Sequence, residues 1–305
     1  MRLLILLRVA SVRIALTRGV ALEEGPCEWR FQELRMRERA EALLNMLNAT
    51  HASEVFGEES QEGRWPNDLA APLDHKFYEI VVCRPLGVAF VHVYKSAGTT
   101  GMQLMQASCD PEPIDAYVTW PCDKDQGKNR RCHYGSSVAE IFSNVTTTFT
   151  IVRDPVERFQ SGIFEVATRQ STFIRTLMKR AADNKVTVAE SMIDILLARQ
   201  VKVNPHLQPQ IYFLNHGGAA LPGLRYVALV GAKFTKELTT LARVLNLRAD
   251  PYKLPKLRDS HDPAYHPEFN GIRSEYLSQH VRAKIFKFYH LDYAWLGGFH
   301  YQPWH

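Results

Sequence analysis

Val88-Ala-Phe-Val-His-Val-Tyr94 runs directly into Lys95-Ser-Ala-Gly-Thr-Thr-Gly101, and Met102, Met105 and other helix formers follow. A short apolar, β-branched run is a strand signal, and small residues after it make a tight loop. The stretch therefore reads as a strand, a small-residue loop and a helix. Upstream, Phe77 to Cys83 is a second strand, joined to the first by the turn Arg84-Pro85-Leu86-Gly87. Downstream the pattern recurs. Phe149 to Arg153 reads as a buried strand, with Asp154 as N-cap, Pro155 at the first helical position and Glu157 completing a capping box.

In the helix that begins there, Val156, Phe159, Ile163 and Val166 form a stripe that faces the sheet, with Arg158, Ser161 and Glu165 off it. Further helices are predicted at about 172–182, 188–199, 235–245 and 274–290, with a strand at 225–230. Strands alternating with helices imply an α/β fold, a central parallel β-sheet flanked by helices on both faces. No internal repeat is visible.

The loop from Lys95 to Gly101 carries the first chemistry. Small residues let backbone N–H groups converge on an anion, and the helix dipole adds about half a positive charge. Lys95 brings a full cation, and Thr99 and Thr100 bring hydroxyl donors. A plain strand-to-helix turn with an exposed lysine is the bland alternative. A P-loop triphosphatase needs Gly-x-x-x-x-Gly-Lys followed by Ser or Thr, whereas here the lysine opens the loop. No later strand ends in an Asp suited to Mg²⁺, and Asp154 is a helix cap.

The chain of 305 residues suits one large domain, at 74–305, preceded by an N-terminal segment at 1–73. Within that segment, Trp29 to Leu47 reads as a charged stem or accessory helix, and Gly57 to Asp74 as a linker. The first residues, Met-Arg-Leu-Leu-Ile-Leu-Leu before Arg8, are too short and charged for a span of about 20 apolar residues. They read as a poor signal or anchor, a transit-like basic segment or the remnant of a false start, so membrane association rests on the N-terminus alone.

The net charge of +5 favours anionic ligands without choosing among them. The only dense basic run, Lys128, Arg130 and Arg131, is too short for a nucleic-acid footprint, so no nucleic-acid partner is expected. Cys27, Cys83, Cys109, Cys122 and Cys132 contain no Cys-x-x-Cys, and no metal is expected. Three of them lie in a loop-like region, Cys109 to Cys132, which a disulfide would staple. With the sequons at Asn48 and Asn144, this points to a secretory compartment.

Lys95-Ser96-Ala97-Gly98-Thr99-Thr100 resembles the 5′-phosphosulfate loop of sulfotransferases that use 3′-phosphoadenosine-5′-phosphosulfate (PAPS). Arg153-Asp154-Pro155-Val156-Glu157-Arg158-Phe159-Gln160-Ser161 resembles their Arg-Asp-Pro-x-x-Arg-x-x-Ser element, whose first Arg and Ser hold the 3′-phosphate. Asn204-Pro205-His206-Leu207-Gln208-Pro209-Gln210 is similar to the Asn-x-His-Trp-x-Pro-Gln element of Golgi-type carbohydrate sulfotransferases, with Leu207 in place of Trp. Arg225 to Gly231 and the closing Tyr289 to Gly298 add weaker matches.

The resemblance, to the heparan 2-O-sulfotransferase-like and chondroitin sulfotransferase-like branches, implies a P-loop-like sulfotransferase fold. It also implies PAPS as donor, a carbohydrate or glycan acceptor and a Golgi location, membrane-associated or lumenal. Carried over residue by residue, it makes Lys95, Ser96, Ala97, Gly98, Thr99, Thr100, Arg153 and Ser161 donor ligands. Lys95 would also stabilise the bridging oxygen as charge develops.

Two histidines are candidates for the base that deprotonates the acceptor: His133 and His206. His133 lies before the Arg153 strand, where the heparan 2-O branch carries a His-Gly-His element. His206 sits among prolines. Glu140 and Glu165 remain open beside them, since other branches use Glu. The rival functions are a non-catalytic glycan- or phosphate-binding protein on the same scaffold and a nucleotide kinase or triphosphatase.

Overall fold

The computed structural model describes residues 26–49, 78–119, 130–198, 204–217, 219–254, 269–273 and 275–296. Helix α1 (Pro26–Ala49) comes first. Strands β1 (Glu79–Cys83) and β2 (Val88–Val91) then form a hairpin with Cys83 opposite Val88. A four-residue connection permits only antiparallel pairing. Next come α2 (Gly98–Cys109), β3 (Ile114–Val118), β4 (Arg130–Tyr134), α3 (Val138–Ile141), β5 (Thr147–Val152) and α4 (Pro155–Arg169). The remainder runs α5 (Ser171–Asn184), α6 (Val188–Leu197), α7 (Ile211–Leu214), the small pair β6 (Asn215–His216) and β7 (Ala219–Ala220), β8 (Leu224–Leu229) and α8 (Phe234–Val244). Three helices close the described chain: α9 (Asn270–Arg273), α10 (Gln279–Phe288) and α11 (His290–Leu296).

The main sheet has six strands in the order β4-β3-β1-β2-β5-β8. β1 runs antiparallel to both neighbours, and every other adjacent pair is parallel. This is the expected α/β sheet, made mixed by the one strand that a short turn reverses. β1, β2 and β3 are buried along their whole length, as strands covered on both faces are. One face packs Val81, Phe90, Phe149 and Ile151 against Leu104 and Met105 of α2 and Leu238 and Leu241 of α8. The other packs Ile80, Val82, Val91 and Val227 against α7 and Trp295 of α11. A separate apolar cluster joins α4, α5, α6 and α10.

β3 and β4 occupy the stretch expected to be loop-like. β3 carries Asp115 in an otherwise apolar run, and β4 reads Arg-Arg-Cys-His-Tyr, with no apolar alternation. β4 is one edge strand of the sheet, where charged side chains are the usual protection against further pairing. Asp115 is tolerated in the interior because Arg84 Nε (3.2 Å) and Arg131 Nε (2.8 Å) both reach its carboxylate. Arg130 pairs with Glu79 at 2.6 Å, so two members of the basic run are held in ion pairs on the sheet.

Of the cysteines in the stretch from Cys109 to Cys132, Cys109 pairs outside it. Cys109 bonds upstream to Cys83, at a Cα separation of 5.6 Å, tying the end of α2 to the end of β1. Closing that loop removes about 3.5 kcal/mol of unfolded-chain entropy. Cys132 is disulfide-bonded as well, and Cys122 lies outside the described residues.

The predicted stem or accessory helix, α1, packs along β8 and α8. Met36 enters one face cluster, and Ala40 and Leu43 enter the other. Arg39 is buried with both terminal guanidinium nitrogens on Glu237 (2.8 and 2.8 Å), and Nη1 donates again to Val227 O (2.9 Å). Glu237 also accepts from Leu229 N at 2.7 Å. The linker at 57–74, the proposed boundary at residue 74 and the extreme N-terminus lie outside the described residues. No helix among those described is long and apolar enough to cross a membrane.

Candidate active site

β2 and β5 are parallel neighbours, with Val91 opposite Thr150, so the loops that follow them leave the same edge of the sheet side by side. After β2 the backbone turns through left-handed conformations at Lys95 (φ 64°) and Ala97 (φ 57°). Each costs a non-glycine residue about 1–2 kcal/mol, a strain that loops tolerate where it aims backbone groups. The first helical bond of α2 runs from Gly101 N–H to Ala97 O (3.1 Å), so the amides of Gly98, Thr99 and Thr100 are the open N-terminal donors of that helix. Gly98 has to be glycine. A Cβ there would sit 1.8 Å from His92 Nε2.

After β5, Asp154 Oδ1 accepts from Glu157 N (2.9 Å) and Pro155 opens α4, as the capping signal predicts. The reciprocal half of the box is absent here. Glu157 instead takes Arg153 Nε at 3.1 Å. Ser161 follows two turns into α4, half-buried.

A single side chain fastens these two loops together. Gln210, wholly buried, accepts at Oε1 from Ser96 Oγ (3.2 Å) and from Arg153 N (2.9 Å), and its Nε2 donates to Arg153 O (2.8 Å). Gln210 N and Ile211 N in turn donate to Asp292 (2.8 and 3.0 Å). Burial pushes the Asp292 carboxyl up to about 6, against the opposing pull of those amides and of Arg158. Tyr289 Oη donates to Leu207 O at 2.6 Å. The segment from Asn204 to Gln210 also presses on α4 beside Ser161, where a Cβ on Gly162 would lie 2.5 Å from His206 O.

Lys95 Nζ donates to Glu165 Oε2 at 2.9 Å, one turn past Ser161. The other carboxylate oxygen accepts from Arg169 Nε (2.6 Å) and lies 4.0 Å from His206 Nε2. Burial opposes a charge on Glu165, but Lys95 and Arg169 outweigh it and hold the carboxyl well below its ordinary range. Burial pushes His206 down, and Arg169, Lys95 and Arg158 add to the fall while Glu165 opposes it. His206 is therefore a neutral imidazole.

Its tautomer follows from the bonds around it. Asn204 Oδ1 takes His206 N (3.0 Å), which identifies it as the amide oxygen, and it lies 2.8 Å from Nδ1. Nδ1 must carry the proton, which leaves the lone pair on Nε2, facing Glu165.

Of the other candidates, His133 lies on β4 with Nε2 3.2 Å from Asp115 Oδ1 and its ring 4.6 Å from that of Tyr117. Glu140 is exposed on α3. Ser96 and Arg153 thus meet at Gln210, and Lys95 pairs with Glu165 with His206 4.0 Å away, whereas the bonds of His133 run to β3.

Two participants were missed. Arg158, placed off the apolar stripe, is fully buried, donating from Nε to Tyr94 O (2.8 Å) and from Nη1 to Gln208 O (2.5 Å). Hydropathy marks such an arginine as solvent-facing, so only its carbonyl partners explain it. The second is the pair Glu79 and His92 (2.5 Å), which counting back along the hairpin from Cys83 and Val88 would have set opposite each other.

Residues 78–301, most of the chain and all of both loops, match the family described as Sulfotransferase family. The chain belongs to the sulfotransferase family. Neither curated proteins nor solved structures give a match. Sulfotransferases transfer a sulfuryl group, usually from PAPS. The open amides of α2, the Lys95 cation and the Arg153 guanidinium supply donors at two points of one edge, as a donor bearing phosphates at both ends requires. Among the described residues of this sulfotransferase no group of three or more His, Cys, Asp or Glu side chains is arranged to hold a metal ion.

Proposed function

We propose that this sulfotransferase moves the sulfuryl group of PAPS to a hydroxyl of a carbohydrate and releases adenosine 3′,5′-bisphosphate. The observation that carries the reading is the Gln210 clasp, which keeps the Lys95 loop and Arg153 at one edge. In this reading Lys95, Ser96 and the 97–100 amides receive the 5′-phosphosulfate end, and Arg153 and Ser161 the 3′-phosphate.

Lys95 stabilises the charge that gathers on the leaving oxygen. His206 Nε2 takes the acceptor's proton, since its lone pair faces the Lys95 and Glu165 pair while His133 is engaged with Asp115. The carbohydrate acceptor rests on the likeness of Asn204 to Gln210 to the Golgi-type element. A secretory, Golgi location is favoured by the Cys83–Cys109 bond, because disulfides persist in oxidising compartments.

Two measurements test this. Adenosine 3′,5′-bisphosphate should raise the melting temperature and ATP with Mg²⁺ should not, since only a true ligand shifts the folding equilibrium. Radiolabelled sulfate should pass from PAPS to at least one member of a glycan panel. Stabilisation without transfer to any hydroxyl would favour a binding protein, and stabilisation by ATP alone would remove the reading.

A further inference from the structure

We infer that Glu165 is a switch that holds Lys95 away from the donor site until donor arrives and then turns its charge to His206, so that acceptor activation depends on donor binding. The inference rests on the PAPS reading and adds the order of events at that site.

The geometry supplies both halves of the switch. Glu165 Oε2 holds Lys95 Nζ at 2.9 Å, while Oε1 is the oxygen nearest His206 Nε2, at 4.0 Å. Lys95 and Glu165 are both largely buried, so water screens their attraction little. A lysine in this pair is a competitor for the phosphosulfate. When Lys95 leaves for the donor, Glu165 keeps only Arg169, and its field at His206 is less cancelled.

The charged and titratable groups facing His206 are Glu165 and Arg169 on α4, Lys95 and Arg158, with the Tyr94 ring at 5.0 Å. Of these, Lys95 is the one with a reason to move. In the transfer step the acceptor oxygen forms a bond to sulfur as the bond from sulfur to the bridging oxygen breaks. The acceptor proton passes to His206 Nε2, and the electron pair departs with the nucleotide phosphate beside Lys95. Glu165 acts through these two groups and is a positioning residue.

Glu165→Gln in the full chain separates this from a structural role. Adenosine 3′,5′-bisphosphate, titrated by calorimetry, should bind about ten-fold more tightly, because the competent Lys95 is no longer held back. Turnover at saturating PAPS should nevertheless fall about 10²-fold, the low end for loss of a working base. The acid limb of the turnover profile should move to lower pH, since the imidazolium loses its supporting carboxylate. The binding titration also reports whether the variant is folded.

Unchanged or weaker nucleotide affinity in a variant that melts like the parent would overturn the switch. So would turnover within two-fold of the parent, or a loss of turnover with the acid limb unmoved. If the parent protein itself fails to bind the bisphosphate, the PAPS reading has failed first and the switch falls with it.

Discussion

Replacing Gln210 by Ala tests the site's central geometric claim. The side chain makes three hydrogen bonds, to Ser96 Oγ, Arg153 N and Arg153 O, and it is completely buried. Each bond contributes about 1 kcal/mol net, and the truncation strands the buried Ser96 hydroxyl as well. Losing the one buried methylene adds about 0.8 kcal/mol. The total is about 4–5 kcal/mol. For a domain of this size that lowers the melting temperature by roughly 8–15 °C.

The consequence for function is separate from that loss. If the clasp holds the two phosphate-gripping loops in register, adenosine 3′,5′-bisphosphate should bind about 10- to 100-fold more weakly by calorimetry, at a temperature where the variant is folded. Gln210→Glu sharpens the test. It retains an acceptor for Ser96 and Arg153 N but faces Arg153 O with a carboxylate oxygen and sets a negative charge beside the donor's phosphates. Its affinity should therefore fall further than its melting temperature suggests. A Gln210→Ala protein that loses several kcal/mol of stability yet binds the bisphosphate as tightly as the parent would refute the reasoning, for the loops would then keep their spacing without the clasp.

Lys95→Ala should reduce turnover by orders of magnitude with the melting curve preserved, and near-normal transfer would remove its role. His206→Ala should lower turnover about 10²- to 10⁴-fold, whereas His133→Ala should change it less than ten-fold; the opposite ranking in a transfer assay would move the base to β4. Arg39→Ala should cost about 3–5 kcal/mol in denaturant unfolding, because it leaves Glu237 buried without its partner. Asp292 gives a pH signature. Its carboxyl is raised from 3.8 in the unfolded chain to about 6 when folded, so its contribution to stability is present below about pH 4 and is lost as pH rises through 6. That amounts to about 3 kcal/mol, and Asp292→Asn should flatten the stability profile across this window.

The strands that build the donor edge were legible because their local chemistry agrees with their tertiary setting. Val88 to Val91 and Thr147 to Val152 are apolar and β-branched, and Asp154-Pro155 stops one element and starts the next. β3 and β4 were not legible, since Asp115, Arg130, Arg131 and His133 defeat any hydropathy pattern. Their polarity is answered by cross-strand ion pairs that exist only once the sheet is assembled. The site divides in the same way. Lys95 and Arg153 announce themselves by their place after strands. Gln210 closes the motif that begins at Asn204, but nothing local says that a glutamine 57 residues beyond Arg153 will clasp it.

Asp292, Tyr289 and Arg158 carry this argument one step further. None of the five bonds described for them reaches an acceptor or donor position, yet each ends on the backbone of a segment that does. Asp292 holds Gln210 N and Ile211 N, Tyr289 holds Leu207 O, and Arg158 spans Tyr94 O and Gln208 O. Arg158 therefore ties the residue before Lys95 to the segment that carries His206. A loop fixed only by its own sequence would sample several positions, because each ordered residue costs about 1–2 kcal/mol of backbone entropy. Buried polar groups aimed at loop carbonyls and amides supply the enthalpy that offsets it, and they do so in one geometry. The closing helix is therefore part of the active site's construction although it contributes no reacting group.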